Sequence, residues 1–157
     1  MEIRVGMGFD VHRFSVDPER PLVLGGVTFD GCGLVGHSDA DAVAHACIDA
    51  LFGAAGLGDI GQHFPDTDPA WKGADSVVLL EEATRRVLAR GWTPANIDCS
   101  VVADEPKLAP RRQDMQERLS AAVGAQVTVK GRRTEGLGAL GRGEGLACWA
   151  VALVTRP

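Results

Sequence analysis

The chain has 157 residues, 45% of them hydrophobic and 24% charged, enough for one well-formed core in an ordinary globular domain. Its formal net charge of −5 excludes the basic footprint that generic nucleic-acid or anionic-membrane binding requires. Neither nucleic acid nor membrane is expected as a partner, and an anionic substrate would need metal ions or a local basic cluster to attract it.

The opening MEIRVGMG lacks a basic stretch leading into an apolar one, and no run of 18 apolar residues occurs, so a cytoplasmic location is expected. Cys32, Cys47, Cys99 and Cys148 are widely separated and form no C-x-x-C pair. Reduced thiols are expected, not a disulfide framework or a cysteine zinc site.

Residues 3–12 alternate as a strand, with Ile3, Val5, Met7, Phe9 and Val11 on one face and Gly6, Gly8, Asp10 and His12 on the other. The bare glycines leave that face open to another backbone or to a ligand. PLVLGGVTF reads as two short strands joined by a hairpin turn at Gly25-Gly26. HSDADAVAHACIDALFGAAGLG reads as a helix, with Ser38 as its cap, Asp39 and Asp41 at its positive end and the glycines from Gly53 to Gly58 as its stop.

GDIGQHFPDTDPAWKGAD follows neither period and is expected to be a long loop. A helix over about 75–90 follows, capped by Asp75 or Ser76 and ended by Gly91, with Val78, Leu79, Ala83 and Val87 at helical spacing. NIDCSVVAD alternates as a strand, 108–123 forms a helix ending at Gly124, and QVTVKGRRT is another strand. LACWAVALV is nearly continuous apolar sequence and suits a central strand buried on both faces. The order predicts a single domain over 1–157 in the α/β (α+β) class, a sandwich with a mixed sheet.

Asp10 and His12 stand two apart on a strand, so their side chains share a face. His45 lies one turn into the first helix. A carboxylate and two imidazoles form a zinc-type ligand set with one position open, although a strand end running into solvent accounts for D-x-H alone. The HSDAD segment offers backbone N–H groups, Ser38 and His37 to an anion such as phosphate, while plain capping explains all of it except His37. KGRRTEGLGALGRGEG combines glycines with four basic residues and suits either a phosphate grip or a charged hairpin loop. Its residue order is not that of a P-loop, which excludes a nucleoside triphosphatase of that kind.

Taken together, GFDVHRF, GHSDADAVAHACIDALFGAAGLGDIG, FPDTDP, KGADS, EPKLAPR and GRGEGLA resemble, in that order and from Met1 to about Thr155, the 2-C-methyl-D-erythritol 2,4-cyclodiphosphate synthases. The resemblance implies a ferredoxin-like sandwich, helices on one face of the sheet, assembled as a homotrimer with active sites between subunits. It implies a phosphorus–oxygen lyase of non-mevalonate isoprenoid biosynthesis that cyclises 4-diphosphocytidyl-2-C-methyl-D-erythritol 2-phosphate and releases CMP. Asp10, His12 and His45 would hold one zinc ion per subunit, and Glu135 would hold a second divalent cation, Mg2+ or Mn2+.

By the same resemblance, His37 and Ser38 hold phosphate at the helix start, and Asp59, Ile60 and Gly61 border the methylerythritol moiety. Phe64, Pro65, Asp66, Thr67 and Asp68 form a loop over it. Ala103, Pro106, Lys107, Leu108 and Ala109 of a neighbouring subunit would form the cytidine pocket. Arg142 lies beside a central cavity that takes isoprenoid diphosphates in some members. The chain departs from the family at GRRTE, where threonines usually precede the glutamate. Thr134 and Glu135 remain, but Arg132 and Arg133 replace threonines, and Arg133 takes the position credited with steadying the transition state. Ala139 replaces the usual aromatic of the central cavity.

Overall fold

In the computed structural model, which describes residues 1–157, the first and last strands are neighbours. β1 (Glu2–Arg13) runs antiparallel to β6 (Gly145–Arg156) over its full length, from Glu2 opposite Arg156 to Arg13 opposite Gly145. The far side of β6 pairs antiparallel with β4 (Thr93–Val102), and β4 pairs in parallel with β5 (Gln126–Arg132). The result is a mixed sheet in the order β1-β6-β4-β5. The hairpin of β2 (Leu22–Leu24) and β3 (Val27–Phe29) stands apart from it and turns at Gly25 and Gly26, with φ of 58° and 72°. Two successive positive φ values suit the primed turn that Gly-Gly makes without a steric penalty.

Helix α1 (Ala42–Ala55) packs on β1, β6 and β4, while α3 (Ser76–Ala89) packs on α1 and α4 (Arg112–Val123) packs on β5. The remaining helices, α2 (Ile60–His63) and α5 (Gly138–Gly141), are single turns. The segment expected to be an unstructured loop therefore contains α2, capped by Asp59, and a 3-10 turn at Pro69–Trp71, capped by Asp68. Both are too short to show a hydrophobic period.

The glycines of β1 meet backbone. A Cβ on Gly6 would lie 2.1 Å from the carbonyl oxygen of Ala50, and one on Gly8 would lie 2.0 Å from that of Ala46. The small residues along α1 bring it directly onto the strand, and the helix is buried nearly all round. The other face of β1 stays open: Ile3, Val5, Met7, Phe9 and Val11 are 43–66% exposed. β6 departs from its expected burial in the same way. It is central, and Cys148, Ala150 and Ala152 are buried, whereas Trp149 and Val151 between them are exposed on the bare face. Phe9 and Trp149 touch there across the strands, with ring centroids 4.9 Å apart.

The first helix starts later than Ser38. Its cap is Asp41, which accepts from the backbone N–H groups of Val43 and Ala44, both at 3.1 Å. The same carboxylate also accepts from Gly25 N–H at 2.8 Å and Gly26 N–H at 2.7 Å, so it fastens the hairpin turn to the helix start. Ser38 lacks those tertiary donors. The α4 helix likewise begins at Arg112, after a 3-10 turn at Ala109–Arg111, and ends at Gly124 as expected.

Two outcomes follow from this packing. Gly8→Ala should destabilise the fold by about 1–3 kcal/mol or more, because the obstacle is helix backbone. Gly53→Ala should be neutral or stabilising by up to about 1 kcal/mol, since a Cβ there meets nothing closer than 3.9 Å. Urea unfolding of the two variants checks the contrast, and equal midpoints would contradict it.

Asp41 gives a pH signature. Burial pushes its pKa from 3.8 up to about 6, the Ala44 N–H opposes the rise and the charge of Asp39 adds to it. The folded chain therefore binds this proton more tightly than the unfolded chain does, and the group's contribution to stability falls as pH rises through that interval. Measured by urea unfolding, the stability of the wild type relative to Asp41→Asn should decline from about pH 4 to about pH 6 and then level off. A relative stability that rises across that interval would refute the assignment.

Candidate metal centre

Two-residue spacing brings Asp10 and His12 to the buried face of β1, just beyond the glycines, and α1 delivers His45 over them. Asp10 Oδ2 is 2.8 Å from His12 Nε2 and 3.1 Å from His45 Nδ1. One ligand atom from each residue falls within 4.8 Å of the other two. His12 Nδ1 lies 2.6 Å from the carbonyl oxygen of Val35. A carbonyl only accepts, so Nδ1 carries the proton and Nε2 is left as a lone pair. That Nε2 is buried and makes no aligned hydrogen bond despite its approach to Asp10. A buried nitrogen lone pair without a donor is costly; a divalent metal ion bound by the three residues would satisfy it.

His45 is held from behind. Its Nε2 is 2.8 Å from Ser76 Oγ and 3.1 Å from Ser38 Oγ. The Ser76 hydroxyl donates to Asp39 Oδ1, and the Ser76 N–H donates to Asp39 Oδ2 at 3.0 Å. With its proton so engaged, Ser76 Oγ accepts from His45 Nε2–H, which turns the Nδ1 lone pair toward Asp10. A hydrogen-bonded carboxylate behind a histidine is the usual support of a metal ligand, and here a serine relays it. Burial drives the Asp10 carboxyl upward, but the adjacent His12 and His45 imidazoles outweigh burial and leave its pKa below the ordinary range. Burial lowers the His12 pKa, and the neighbouring Asp10 carboxylate reverses that into a net rise.

A cavity of about 460 Å³ adjoins these ligands. Asp10, His12, His37, Ser38 and His45 line one side, and Ile60, Gly61, Phe64, Pro65 and Asp66 line the other. Asp59 caps α2 instead, and the Asp68 carbonyl lies 3.0 Å from His37 Nε2. Arg20, which no local pattern marks, shapes the segment before the helix. Its guanidinium donates to the carbonyls of Leu34, of Gly36 at 3.1 Å and of Ser38 at 2.7 Å, leaving the Val35 carbonyl turned to His12.

A second cavity of about 230 Å³ shares no residue with the first. Ala103, Pro106, Lys107, Leu108 and Ala109 line it, joined by Arg132, Arg133 and Arg112, a third arginine that sequence reasoning missed. Thr134 is buried beside it, donating through N–H and Oγ1 to Asp104 at 3.1 and 2.7 Å. Glu135, at a positive φ of 54°, and Arg142, paired with Glu144 at 3.0 Å, line neither cavity. One chain therefore gathers the three expected zinc ligands but does not bring Glu135 or Arg133 to them.

The model of the YgbB family matches residues 3–155. The chain belongs to the YgbB family. Among similar members, the bifunctional enzyme IspD/IspF of Anaeromyxobacter dehalogenans (strain 2CP-C) is 54% identical over 157 residues, covering 98% of this chain and 40% of that protein. The chain thus spans about two fifths of such bifunctional relatives. A 2-C-methyl-D-erythritol 2,4-cyclodiphosphate synthase of Thermosynechococcus vestitus is 51% identical, with 98% of this chain and 97% of that one covered. Solved YgbB-type structures agree on the fold. The bifunctional IspDF of Campylobacter jejuni superposes with a TM-score of 0.93 at 42% identity, covering 99% of this chain and 43% of that chain. A CDP complex of Plasmodium falciparum IspF gives 0.84 at 31% identity, covering 98% and 96%.

Ser76→Ala should weaken divalent-metal binding by about 10–100-fold while the fold persists, because it releases His45 without removing a ligand. Competition with a chromogenic chelator measures this. Unchanged affinity would show that the relay does not orient the ligand.

Proposed function

We propose that the chain is a divalent-metal-dependent cyclodiphosphate synthase that converts 4-diphosphocytidyl-2-C-methyl-D-erythritol 2-phosphate to 2-C-methyl-D-erythritol 2,4-cyclodiphosphate and CMP. The observation that carries this reading is the convergence of Asp10, His12 and His45 beside the 460 Å³ cavity, in a chain that matches single-function synthases almost end to end. An oxygen of the 2-phosphate attacks the β-phosphorus, the bond from that phosphorus to the bridging oxygen breaks, and the electron pair leaves with CMP.

The nucleophile is already an anion, so no side chain has to take a proton from it. The task is to hold two negative groups in line, and positioning with charge neutralisation carries such a reaction. Zinc bound by Asp10, His12 and His45 would supply Lewis-acid polarisation of a phosphate oxygen. His37 and Ser38, on the same cavity, would hold phosphate oxygens, while Ile60, Gly61, Phe64, Pro65 and Asp66, which line it opposite, would enclose the methylerythritol and exclude water. Glu135 would carry the second ion, Mg2+ or Mn2+.

Two features support a homotrimer of ferredoxin-like subunits in this reading. The sheet face bearing Ile3, Val5, Met7, Phe9, Val11, Trp149 and Val151 is bare, and an apolar surface of that extent needs a partner. The second cavity, with Lys107, Arg132 and Arg133, is also separate from the triad within one chain. Supplied by a neighbouring subunit, it would receive the cytidine diphosphate part of the substrate, in keeping with the CDP held by the Plasmodium falciparum relative. Arg133 would then offer phosphate a charge-assisted contact in place of a hydroxyl one.

Zinc-loaded protein incubated with the cytidine substrate and Mg2+ should sediment at the mass of three chains and release CMP with the cyclic product, followed by phosphorus NMR. Chelation or Asp10→Asn should lower the rate by at least about 100-fold. A linear phosphate product would instead identify a phosphohydrolase, and metal-independent turnover would remove the triad from the chemistry.

A further inference from the structure

The cavity wall facing the metal ligands rests on a weak element. Ile60 and Gly61 sit on α2, whose single turn is closed by the Phe64 N–H bond to the Ile60 carbonyl at 2.9 Å. One helical turn has no stability of its own, so its position has to come from outside contacts. His63, the last residue of α2, stacks on Phe52 of α1 with centroids 4.0 Å apart and planes at 24°. Both of its ring nitrogens are engaged: Nε2 lies 2.8 Å from the Leu57 carbonyl, and Arg86 Nη1 lies 2.9 Å from Nδ1. Guanidinium only donates and a carbonyl only accepts, so the ring is neutral with its proton on Nε2.

Arg86 does not line the cavity, yet it touches both residues that end α2. Besides its bond to His63, its guanidinium carbon lies 4.9 Å from the ring centroid of Phe64, within cation–π range. Phe64 in turn meets the cavity residue Trp71 edge-on at 5.1 Å. Glu82, one turn back on α3, aims the guanidinium by accepting from Arg86 Nε at 2.7 Å. The adjacent Arg85 provides an internal comparison. It pairs with the same glutamate, but its side chain is 68% exposed against 30% for Arg86, and it reaches neither His63 nor Phe64.

We propose that Arg86 is a positioning residue for the cavity: through His63 and Phe64 it fixes the wall of Ile60, Gly61 and Phe64 where a ligand is enclosed. The inference rests on the reading of this cavity as the substrate site. The wall belongs to the ligand side and not to the metal, so losing Arg86 acts on affinity for the phosphorylated ligand and leaves the metal ligands undisturbed.

The test compares Arg86→Met, which keeps the stem and removes the donors, with Arg86→Lys and the control Arg85→Met. Hydrogen exchange of backbone amides 60–66, zinc affinity, CDP binding, and kcat and KM are measured on the zinc-loaded protein. In Arg86→Met, exchange across 60–66 should quicken and KM should rise about tenfold, with kcat within about twofold and with zinc affinity and binding of CDP, which lacks the methylerythritol this wall encloses, unchanged. Arg86→Lys should recover part of the loss and Arg85→Met should match wild type. Unaltered exchange in Arg86→Met, or a fall in zinc affinity alongside the rise in KM, would overturn the proposal. If the wild type forms no cyclic product, the functional reading fails, while exchange at 60–66 still decides the role of Arg86.

Discussion

The backbone contact between α1 and β1 fixes the separation on which the candidate metal centre depends. Gly6 and Gly8 carry no side chain, and the carbonyls of Ala50 and Ala46 occupy the space where a Cβ would be. Asp10 and His12 continue the same face of the strand, and His45 immediately precedes Ala46 on the helix. A helix lifted by the side chains of an ordinary strand would carry His45 away from Asp10. The two glycines therefore help build the candidate metal centre without offering it a ligand. The buried side-chain area given up at these positions is replaced by dense contact between small residues, where dispersion accumulates over many atom pairs.

Around that contact, three buried or half-buried polar groups gather segments distant in sequence. Asp41 joins the hairpin turn at Gly25 and Gly26 to the start of α1. Arg20 gathers the carbonyls of Leu34, Gly36 and Ser38 and leaves that of Val35 for His12. Asp39 holds Ser76 at the start of α3, and Ser76 holds His45. Hydrogen bonds to charged groups contribute about 1.5–3 kcal/mol each, but losing a partner also leaves buried groups unsatisfied. Their main product is geometry: each fixes the start of α1 or the segment leading into it, ahead of the candidate metal ligand His45.

Much of this was legible in the sequence wherever a local period or cap carried it. The alternation of residues 3–12 put Asp10 and His12 on one face, and the capped helix supplied His45 at the right end. What periodicity could not reveal was which face of β1 is buried. Hydrophobicity favours the face of Ile3, Val5, Met7, Phe9 and Val11, yet the helix lies on the glycine face because only there can backbone approach backbone. Ser38 and Asp41 are both competent caps, and the choice between them rests on N–H groups of a hairpin fifteen or more residues away. The single turn of α2 is shorter than any period, and Arg20 acts through backbone carbonyls that leave no mark on residue type. Arg112 falls within the helix expected over 108–123, and its place on a cavity emerges only in three dimensions.

In the proposed trimer, the bare sheet face and the divided site are consequences of one arrangement. An acidic chain with the phosphate-rich substrate proposed for it must place its positive charge locally, and Lys107, Arg112, Arg132 and Arg133 concentrate it around one small cavity. The triad's cavity holds the metal ligands but none of those basic residues. A polyanionic ligand needs both, since a single divalent ion neutralises only part of its charge. Within one chain the two cavities share no wall. Association through the apolar face of β1 and β6 would bury Phe9 and Trp149 and, in the proposed trimer, bring the basic cavity of one copy to the metal ligands of the next. On that reading the strand's open face is kept apolar for the same reason that its other face is kept bare: one joins the copies and the other admits the helix that completes the metal centre.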